Sequence, residues 1–242
     1  MWVPPRSLDP EWLDRSDNPP EAVARALRDI RLVNRILGGR RALLCGLDPF
    51  LRAQPPHVPL EVLDVGTGGA DLPIEMVLLG KRRGRVVNVT AVDRDPSAGL
   101  LAARSVREWP EIRVLQADAN ELPFPRDSFD LVTASMFLHH FDHRGVVRLL
   151  SSFRRLARRA VLVNDLRRHL LPWAFIGLFA RATLRYPMFV HDAPLSVRRG
   201  FTSEELLRAA RESGVEEPRV ERRWPFRLVM TLPGHDPSGA LP

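Results

Sequence analysis

The segment from Leu60 to Pro73 constrains the fold more than any other part of the chain. It reads Leu-Glu-Val-Leu-Asp-Val-Gly-Thr-Gly-Gly-Ala-Asp-Leu-Pro, which combines an apolar strand, a glycine turn and the start of a helix. Proline is tolerated in the first turn of a helix, where its missing N–H would have no partner. Glycines let a backbone approach a ligand closely. The segment therefore predicts a strand–turn–helix unit with a ligand at the turn.

Strands and helices alternate along the rest of the chain. Segments typical of strands lie near residues 60–65, 86–92, 112–115, 129–134 and 160–164, with helical segments between them. Alternation of this kind predicts a parallel sheet. Two more strands, 220–224 and 227–232, are so close together that they must form an antiparallel hairpin. The predicted fold is a Rossmann-like α/β sheet of seven strands, mostly parallel, with a C-terminal antiparallel hairpin and flanking helices.

Two helices are expected before the first strand. Apolar residues recur at helical spacing over residues 21–37, and Gly38 and Gly39 provide a stop. A second helix is expected over residues 40–51. We therefore predict an N-terminal helical arm or cap over residues 1–59 and a core over residues 60–242.

An insertion is predicted within the core. Residues 167–201 are too many for an ordinary connection and mix aromatic with basic side chains, so we expect a lid. The longest apolar stretch, residues 170–180, is too short to cross a bilayer. Residues 1–20 lack the apolar region of a signal peptide, so a cytoplasmic location is expected.

The charge and cysteine content say little about partners. The net charge is +7, but 29 acidic residues are interspersed with 36 basic ones, and Lys81 is the only lysine. An excess of arginine codons explains this better than a nucleic-acid partner. Cys45 is the only cysteine, which excludes an internal disulfide and a thiolate metal cluster. We expect Cys45 to be a buried apolar residue and expect no metal.

Two acids flank the glycine turn. A dinucleotide-binding Gly-x-Gly-x-x-Gly pattern that begins at Gly66 would require glycine where the chain has Asp71. That carboxylate would face a pyrophosphate, which argues against a nicotinamide dinucleotide. Asp64 and Asp71 together suit a ligand with positive charge and no phosphate. S-adenosylmethionine, with its sulfonium and ammonium groups, is such a ligand.

Acids also follow the second and third strands. Asp93 could accept hydrogen bonds from both ribose hydroxyls, with Arg94 beside the adenine ring. Asp118 could accept a hydrogen bond from the adenine amino group, while a backbone amide forms a hydrogen bond with the adenine ring. The expected cofactor-binding residues are therefore Asp64, Gly66, Thr67, Gly68, Gly69, Asp71, Asp93, Arg94, Asp118, Ala119 and Ser135.

These motifs, with Phe129-Asp-Leu-Val-Thr-Ala134, resemble the successive motifs of class I S-adenosylmethionine-dependent methyltransferases. The resemblance covers roughly residues 60–232. It implies a seven-stranded fold whose last strand is inserted antiparallel. It also implies S-adenosylmethionine as cofactor and S-adenosylhomocysteine as product.

A narrower resemblance involves two further segments. Residues 136–142, Met-Phe-Leu-His-His-Phe-Asp, and residues 163–168, Val-Asn-Asp-Leu-Arg-Arg, resemble bacterial small-molecule methyltransferases. Those enzymes include ones that act on polyketide-like phenols and quinols. The resemblance implies a small-molecule acceptor.

Two adjacent histidines are the candidate bases. A phenol has a pKa about three units above neutral pH, so forming the phenolate costs roughly 4 kcal/mol, which a base can offset. His139 and His140 follow the fourth strand at the ligand-binding edge of the sheet, and a neutral imidazole is a suitable base. The alternative for each is a packed histidine bonded to a backbone carbonyl.

Polar residues after the fifth strand and on the lid complete the candidate site. Asn164 and Asp165 could orient a hydroxyl or a catalytic histidine, although Asp165 could equally pair with Arg167 or Arg168. His191, beside Asp192, could approach the acceptor when the lid closes, although a solvated loop is the alternative. We assign Asp165 with the histidines to catalysis. The expected substrate-binding residues are Asn164, Arg167 and His191.

Three classes of function remain open. The first is methylation of a small apolar or aromatic acceptor. Within this class we expect O-methylation of a phenolic or enolic natural product in secondary metabolism, with C-methylation of a quinol or polyketide as the alternative. The second is nucleic-acid methylation through the arginines, but Ala134-Ser-Met-Phe137 lacks the Asn/Asp-Pro-Pro-aromatic motif of amino-methylating enzymes. The third is a non-catalytic cofactor-binding protein. The sequence does not predict an oligomeric state.

Overall fold

One seven-stranded sheet organises the chain, of which the computed structural model describes residues 3–184 and 186–234. The strand order is β3-β2-β1-β4-β5-β7-β6. Strands β1 to β5 pair in parallel, whereas β7 lies antiparallel between β5 and β6. The strands are β1 (Leu60–Val65), β2 (Val87–Asp93), β3 (Ile112–Gln116), β4 (Phe129–Ser135), β5 (Ala157–Leu166), β6 (Arg219–Arg223) and β7 (Arg227–Pro233).

Helices cover both faces of the sheet, which explains why the central strands are apolar on both sides. Within the described residues the α-helices are α1 (Pro20–Ile36), α2 (Gly39–Ala53), α3 (Asp71–Arg82), α4 (Pro96–Ser105), α5 (His143–Leu156), α6 (Leu170–Phe179), α7 (Pro187–Arg199) and α8 (Ser203–Glu212). On one face, α5 and α8 pack against the sheet around the fully buried Phe153. On the other face, α2, α3 and α4 pack around Leu47 and Met76.

Side chains fix several helix starts that approach the sheet edge. The Asp95 carboxylate accepts the Ala98 N–H at the start of α4 at 2.8 Å. Thr202 and Glu205 form a reciprocal capping box at the start of α8. These caps satisfy backbone donors that have no partner within a helix.

The predicted fold class is confirmed, including the antiparallel hairpin and its inserted last strand. The expectation for Cys45 is wrong, because its side chain is exposed. Helix α2 turns Leu43 and Leu47 towards the sheet, and Cys45 lies about 200° around the helix from Leu43.

The N-terminal residues and the predicted lid meet over one end of the sheet. The lid segment forms α6, a π-helical turn (Ala180–Leu184) and α7. Residues ahead of α1 run across α7, where the Ser7 N–H donates to the Arg198 carbonyl at 3.2 Å. The boundaries at residues 59 and 60 and the lid role of 167–201 stay predictions. No helix among the described residues combines the length and apolar character needed to cross a membrane.

Candidate active site

A cavity of about 1240 Å³ opens at the carboxyl ends of the parallel strands. The glycine turn forms its floor, and the N-terminal segment, α1, α6 and α7 contribute its walls. Most of the residues predicted for the site line it: Asp64, Gly66, Thr67, Gly68, Gly69, Asp71, Asp93, Arg94, Asp118, Ala119, Ser135, His139, His140 and Arg167. Asn164, Asp165 and His191 are not in its lining.

The glycine turn follows β1 and is held against β2. Gly66 and Gly68 have φ values of +72° and +54°, which favour glycine. A Cβ atom on Gly66 would collide with the ring of Phe137. The Gly68 N–H donates to Asp93 Oδ2 at 2.8 Å, so the carboxylate after β2 also fixes the turn after β1. At its glycines the turn thus presents backbone, without side chains, to the cavity.

Three carboxylates gather at this turn. Asp64 is buried and accepts a hydrogen bond from the Thr133 hydroxyl at 2.7 Å. Burial, together with the negative charges of Asp71 and Asp93, raises the pKa of Asp64 to about 7. Burial also raises the pKa of Asp71 and of Asp93. Among the described residues none of the three forms a salt bridge, so a cationic ligand would relieve their repulsion.

The remaining predicted cofactor residues lie at the rim. Asp118 is exposed, and its Oδ1 accepts from the backbone and side-chain N–H groups of Asn120, both at 2.8 Å. These bonds lower the pKa of Asp118, so it stays a carboxylate. Arg94 is also exposed. The rim therefore suits the polar edge of a bound ring.

His139 is buried between two carboxylates. Its Nδ1 lies 2.7 Å from Asp165 Oδ1, and its Nε2 lies 3.6 Å from Glu11 Oε1. Burial alone would lower the pKa of His139, but Asp165 and Glu11 outweigh burial and raise the pKa to about 9. The raised pKa and the acids at both ring nitrogens argue against His139 as a neutral base, and its catalytic role stays a prediction. Asp165 orients this histidine and does not pair with Arg168, which bonds Glu205 at 2.6 Å.

His140 is arranged differently. Its Nδ1 lies 2.9 Å from Asp14 Oδ1, and its side chain is 22% exposed in the cavity wall. In a neutral His140 ring, this carboxylate favours the tautomer with the proton on Nδ1 and the lone pair on Nε2. Its ring lies against that of His139, with centroids 4.3 Å apart. His140 is thus the histidine whose surroundings suit a base.

The N-terminal segment supplies two acids that sequence reasoning missed, Glu11 and Asp14. Arg199 fastens this segment to the histidines: its guanidinium donates to the carbonyls of His139, His140 and Asp9 at 3.1, 2.8 and 2.6 Å. No local pattern marks these residues, because Asp14 is 126 positions from its partner His140.

Two predicted residues have roles outside the cavity. The Asn164 side chain is buried and donates to the Gly39 carbonyl at 3.0 Å, outside the cavity lining. Its assignment to substrate binding stays a prediction. His191 bonds Asp192 at 2.7 Å and stacks on Trp12 with ring centroids 4.1 Å apart, outside the lining of this cavity. Its approach to the acceptor when the lid closes stays a prediction.

Some of the arginines considered for nucleic-acid binding are buried or form bonds within the protein. Arg199 is buried, and Arg158 donates to Asp130 at 3.1 Å. These contacts weaken the hypothesis of a continuous phosphate-binding surface.

One group of side chains has the composition of a metal site. Glu11, His139 and His140 offer ligand atoms within 4.8 Å of one another. The proton on His139 and the Arg199 guanidinium, whose Nε is 3.9 Å from Glu11, already balance the acids there. A metal ion would have to displace that proton, so the expectation of no metal stays a prediction.

The strand order, the glycine turn and the acids after β1, β2 and β3 define the fold of class I S-adenosylmethionine-dependent methyltransferases. Residues 62–160, less than half of the chain, match the family described as a methyltransferase domain, so this part of the chain is similar to that family. The resemblance inferred from the sequence is confirmed at this level.

Curated relatives match about a third of the chain. The ubiquinone/menaquinone biosynthesis C-methyltransferase UbiE of Rickettsia massiliae is 34% identical over 91 residues, which are 36% of this chain and 36% of the relative. The demethylmenaquinone methyltransferase of Thermus thermophilus is 36% identical over 84 residues, 34% of this chain and 36% of the relative. The chain thus spans about a third of the length of each.

A solved structure extends the similarity to most of the fold. Human N-acetylserotonin methyltransferase in complex with S-adenosylmethionine superimposes with a TM-score of 0.62 at 16% identity. The match covers 86% of this chain and 55% of the human chain. At this identity the likeness concerns the fold.

The charge state of His139 can be measured directly. We expect its ring to stay protonated at pH 7 and to titrate near pH 9, above the ordinary value of 6.5. The stability contributed by the charged ring is complete below pH 6.5 and is lost as the pH rises through about 9. NMR of the imidazole nitrogens measures this, and Asp165→Asn should lower the pKa. A His139 ring that is neutral at pH 7 in the unaltered protein would contradict the charge assigned to it.

Proposed function

We propose that the chain binds S-adenosylmethionine at the glycine turn and transfers its methyl group to a small aromatic hydroxyl compound. The observation that carries the proposal is the placement of His140, backed by Asp14, in one cavity with the carboxylates Asp64, Asp71 and Asp93. The carboxylates suit the cationic cofactor, and the histidine suits an acceptor that must lose a proton. Bound S-adenosylmethionine supplies the methyl group on a sulfonium that leaves as a neutral thioether.

Each carboxylate would bind a different part of the cofactor. Asp64 and Asp71 lie at the turn, where they would attract the ammonium and sulfonium charges. Asp93 already fixes the turn through Gly68 and would accept hydrogen bonds from the ribose hydroxyls. Asp118 at the rim would meet the adenine amino group.

The rest of the cavity is suited to an apolar acceptor. Side chains from α1, α6 and α7 form this part of its wall, together with Phe137 and Phe141. Apolar walls with a few convergent polar groups are typical of small-molecule sites. A planar ring fits this environment better than a sugar or a nucleotide.

His140 would remove the acceptor proton. Asp14 holds Nδ1 at 2.9 Å and so turns Nε2 towards an incoming hydroxyl. A phenolate formed in this way would accept the methyl group of the bound cofactor on its oxygen, which would give O-methylation. The His139 ring, which Asp165 and Glu11 hold from either side, packs against the His140 ring and so would position it.

C-methylation of a quinol is the second candidate, and the relatives favour it. The two relatives described above are named for C-methylation in ubiquinone/menaquinone biosynthesis and for demethylmenaquinone methylation. A quinol deprotonated by the same histidine can react at the neighbouring ring carbon. The position of the methyl group in the product distinguishes the two reactions.

The cofactor assignment is tested by binding. We expect Asp93→Ala to weaken S-adenosylmethionine and S-adenosylhomocysteine alike, by about 10- to 100-fold, because charged hydrogen bonds to the ribose and to the turn are lost. Titration calorimetry measures both ligands. Glu108→Gln, an exposed acid outside the cavity lining, is the matched control and should bind as the unaltered protein does.

The base is tested by turnover with a panel of phenols and hydroquinones, with the methylated product located by NMR. We expect His140→Gln to lower kcat by about 10²- to 10⁴-fold while cofactor affinity is unchanged. His143→Gln alters a histidine that bonds Glu212 outside the cavity lining and should leave kcat unchanged. Full activity of His140→Gln with an accepted substrate would show that His140 is not the base.

A further inference from the structure

The outward face of α6 is apolar where a surface helix is normally charged. Leu171, Phe175 and Leu178 are 58%, 51% and 72% exposed, and with Ala174 they recur at i, i+3, i+4 and i+7. Residues 170–180 contain no charged side chain. The opposite face, around Ile176, is buried against the protein. This helix therefore exposes a continuous apolar stripe.

A groove whose lining holds three arginines and two acids, Asp9 and Glu11, adjoins the stripe. It has a volume of about 880 Å³, and Trp173 and Leu178 of α6 form one wall. Arg15, Arg181 and Arg198 also line it. Among the described residues Arg15 pairs with Asp17 at an exposed position, while no salt bridge involves Arg181 or Arg198. Guanidinium groups beside an apolar stripe match a phosphate headgroup beside acyl chains.

The same helix forms part of the wall of the active-site cavity. Pro172, Phe175 and Ile176 line that cavity, and Phe175 is also exposed on the stripe. One helix thus separates the apolar surface from the apolar part of the acceptor site.

We propose that α6 docks on the surface of an anionic lipid bilayer and that the acceptor enters the cavity from that bilayer. A helix of ten residues is far shorter than the roughly 20 needed to span a bilayer, so it lies in the interface. The arginines of the groove bind lipid phosphates while the stripe enters the acyl region. The proposed docking depends only on the surface formed by α6 and the groove. The entry of the acceptor from the bilayer also rests on the proposed function.

Charge favours a bilayer over a second copy of the chain as the occupant. The chain carries a net charge of +7, and a symmetric contact through α6 would bring the arginine-lined grooves of two copies together. An anionic bilayer instead attracts both the groove and the whole chain.

Vesicle sedimentation tests the docking without cofactor or acceptor. We expect binding to vesicles of phosphatidylcholine with about 30% phosphatidylglycerol, and weaker binding to phosphatidylcholine alone or at high salt. Leu171→Gln with Leu178→Gln should reduce partitioning by about tenfold or more. Leu100→Gln, which alters a leucine of α4 that is 59% exposed, is the matched control and should leave binding unchanged.

The arginines are tested in the same assay. Arg181→Gln with Arg198→Gln should reduce binding to anionic vesicles by about fivefold per arginine, whereas Arg107→Gln, an exposed arginine of another face, should not. Absence of vesicle binding by the unaltered protein at low salt overturns the proposal. A leucine variant that keeps full vesicle binding also overturns the proposal. A leucine variant whose only change is that a dimer becomes a monomer in sedimentation velocity overturns it as well. Cofactor binding by the leucine variant is measured in parallel. If that binding is normal, the proposed docking has failed and the proposed function has not.

Discussion

The gathering of three carboxylates at one glycine turn, with Asp64 buried and Asp71 and Asp93 half-buried, is the constraint on which the site depends. Strands β1 and β2 are parallel neighbours, so Asp64 at the end of one and Asp93 at the end of the other reach the same edge of the sheet. The positive φ angles of the turn bring the Gly68 amide to Asp93, but among the described residues no basic side chain forms a salt bridge with these acids. A site built in this way is complementary to a cation, and the charge that it lacks is the one that a sulfonium cofactor carries.

A second group of buried charges closes the other side of the cavity. Glu11 and Asp165 hold a protonated His139 between them, and Arg199 binds the backbone around both histidines. Removing any one partner would leave a buried charge uncompensated, which is costly. These contacts join the N-terminal segment to α7 and to the sheet. The catalytic proposal for His140 depends on this assembly, because Asp14 belongs to the same segment.

The sequence predicted what is local and missed what the fold brings together. The glycine turn, Asp64, Asp93 and the hairpin each follow from a short pattern, and the structure places them as the parallel sheet requires. Asp14 lies in a segment with no regular pattern, and its partner is distant in the chain. Asn164 shows a further limit: it lies near the end of β5, but its side chain turns into the protein. Position at a strand end does not determine which way a side chain points.

The central claim is that the carboxylates at the glycine turn bind a cation, and calorimetry of S-adenosylmethionine at two pH values tests it most directly. Asp64, with a pKa of about 7, is mostly protonated near pH 6 and largely ionised near pH 7.5, where the ligand ammonium is still mainly charged. We predict that affinity rises between these two pH values and that binding near pH 7 releases protons into the buffer. Absence of binding, or binding with the same affinity at both pH values and no proton release, would contradict the claim.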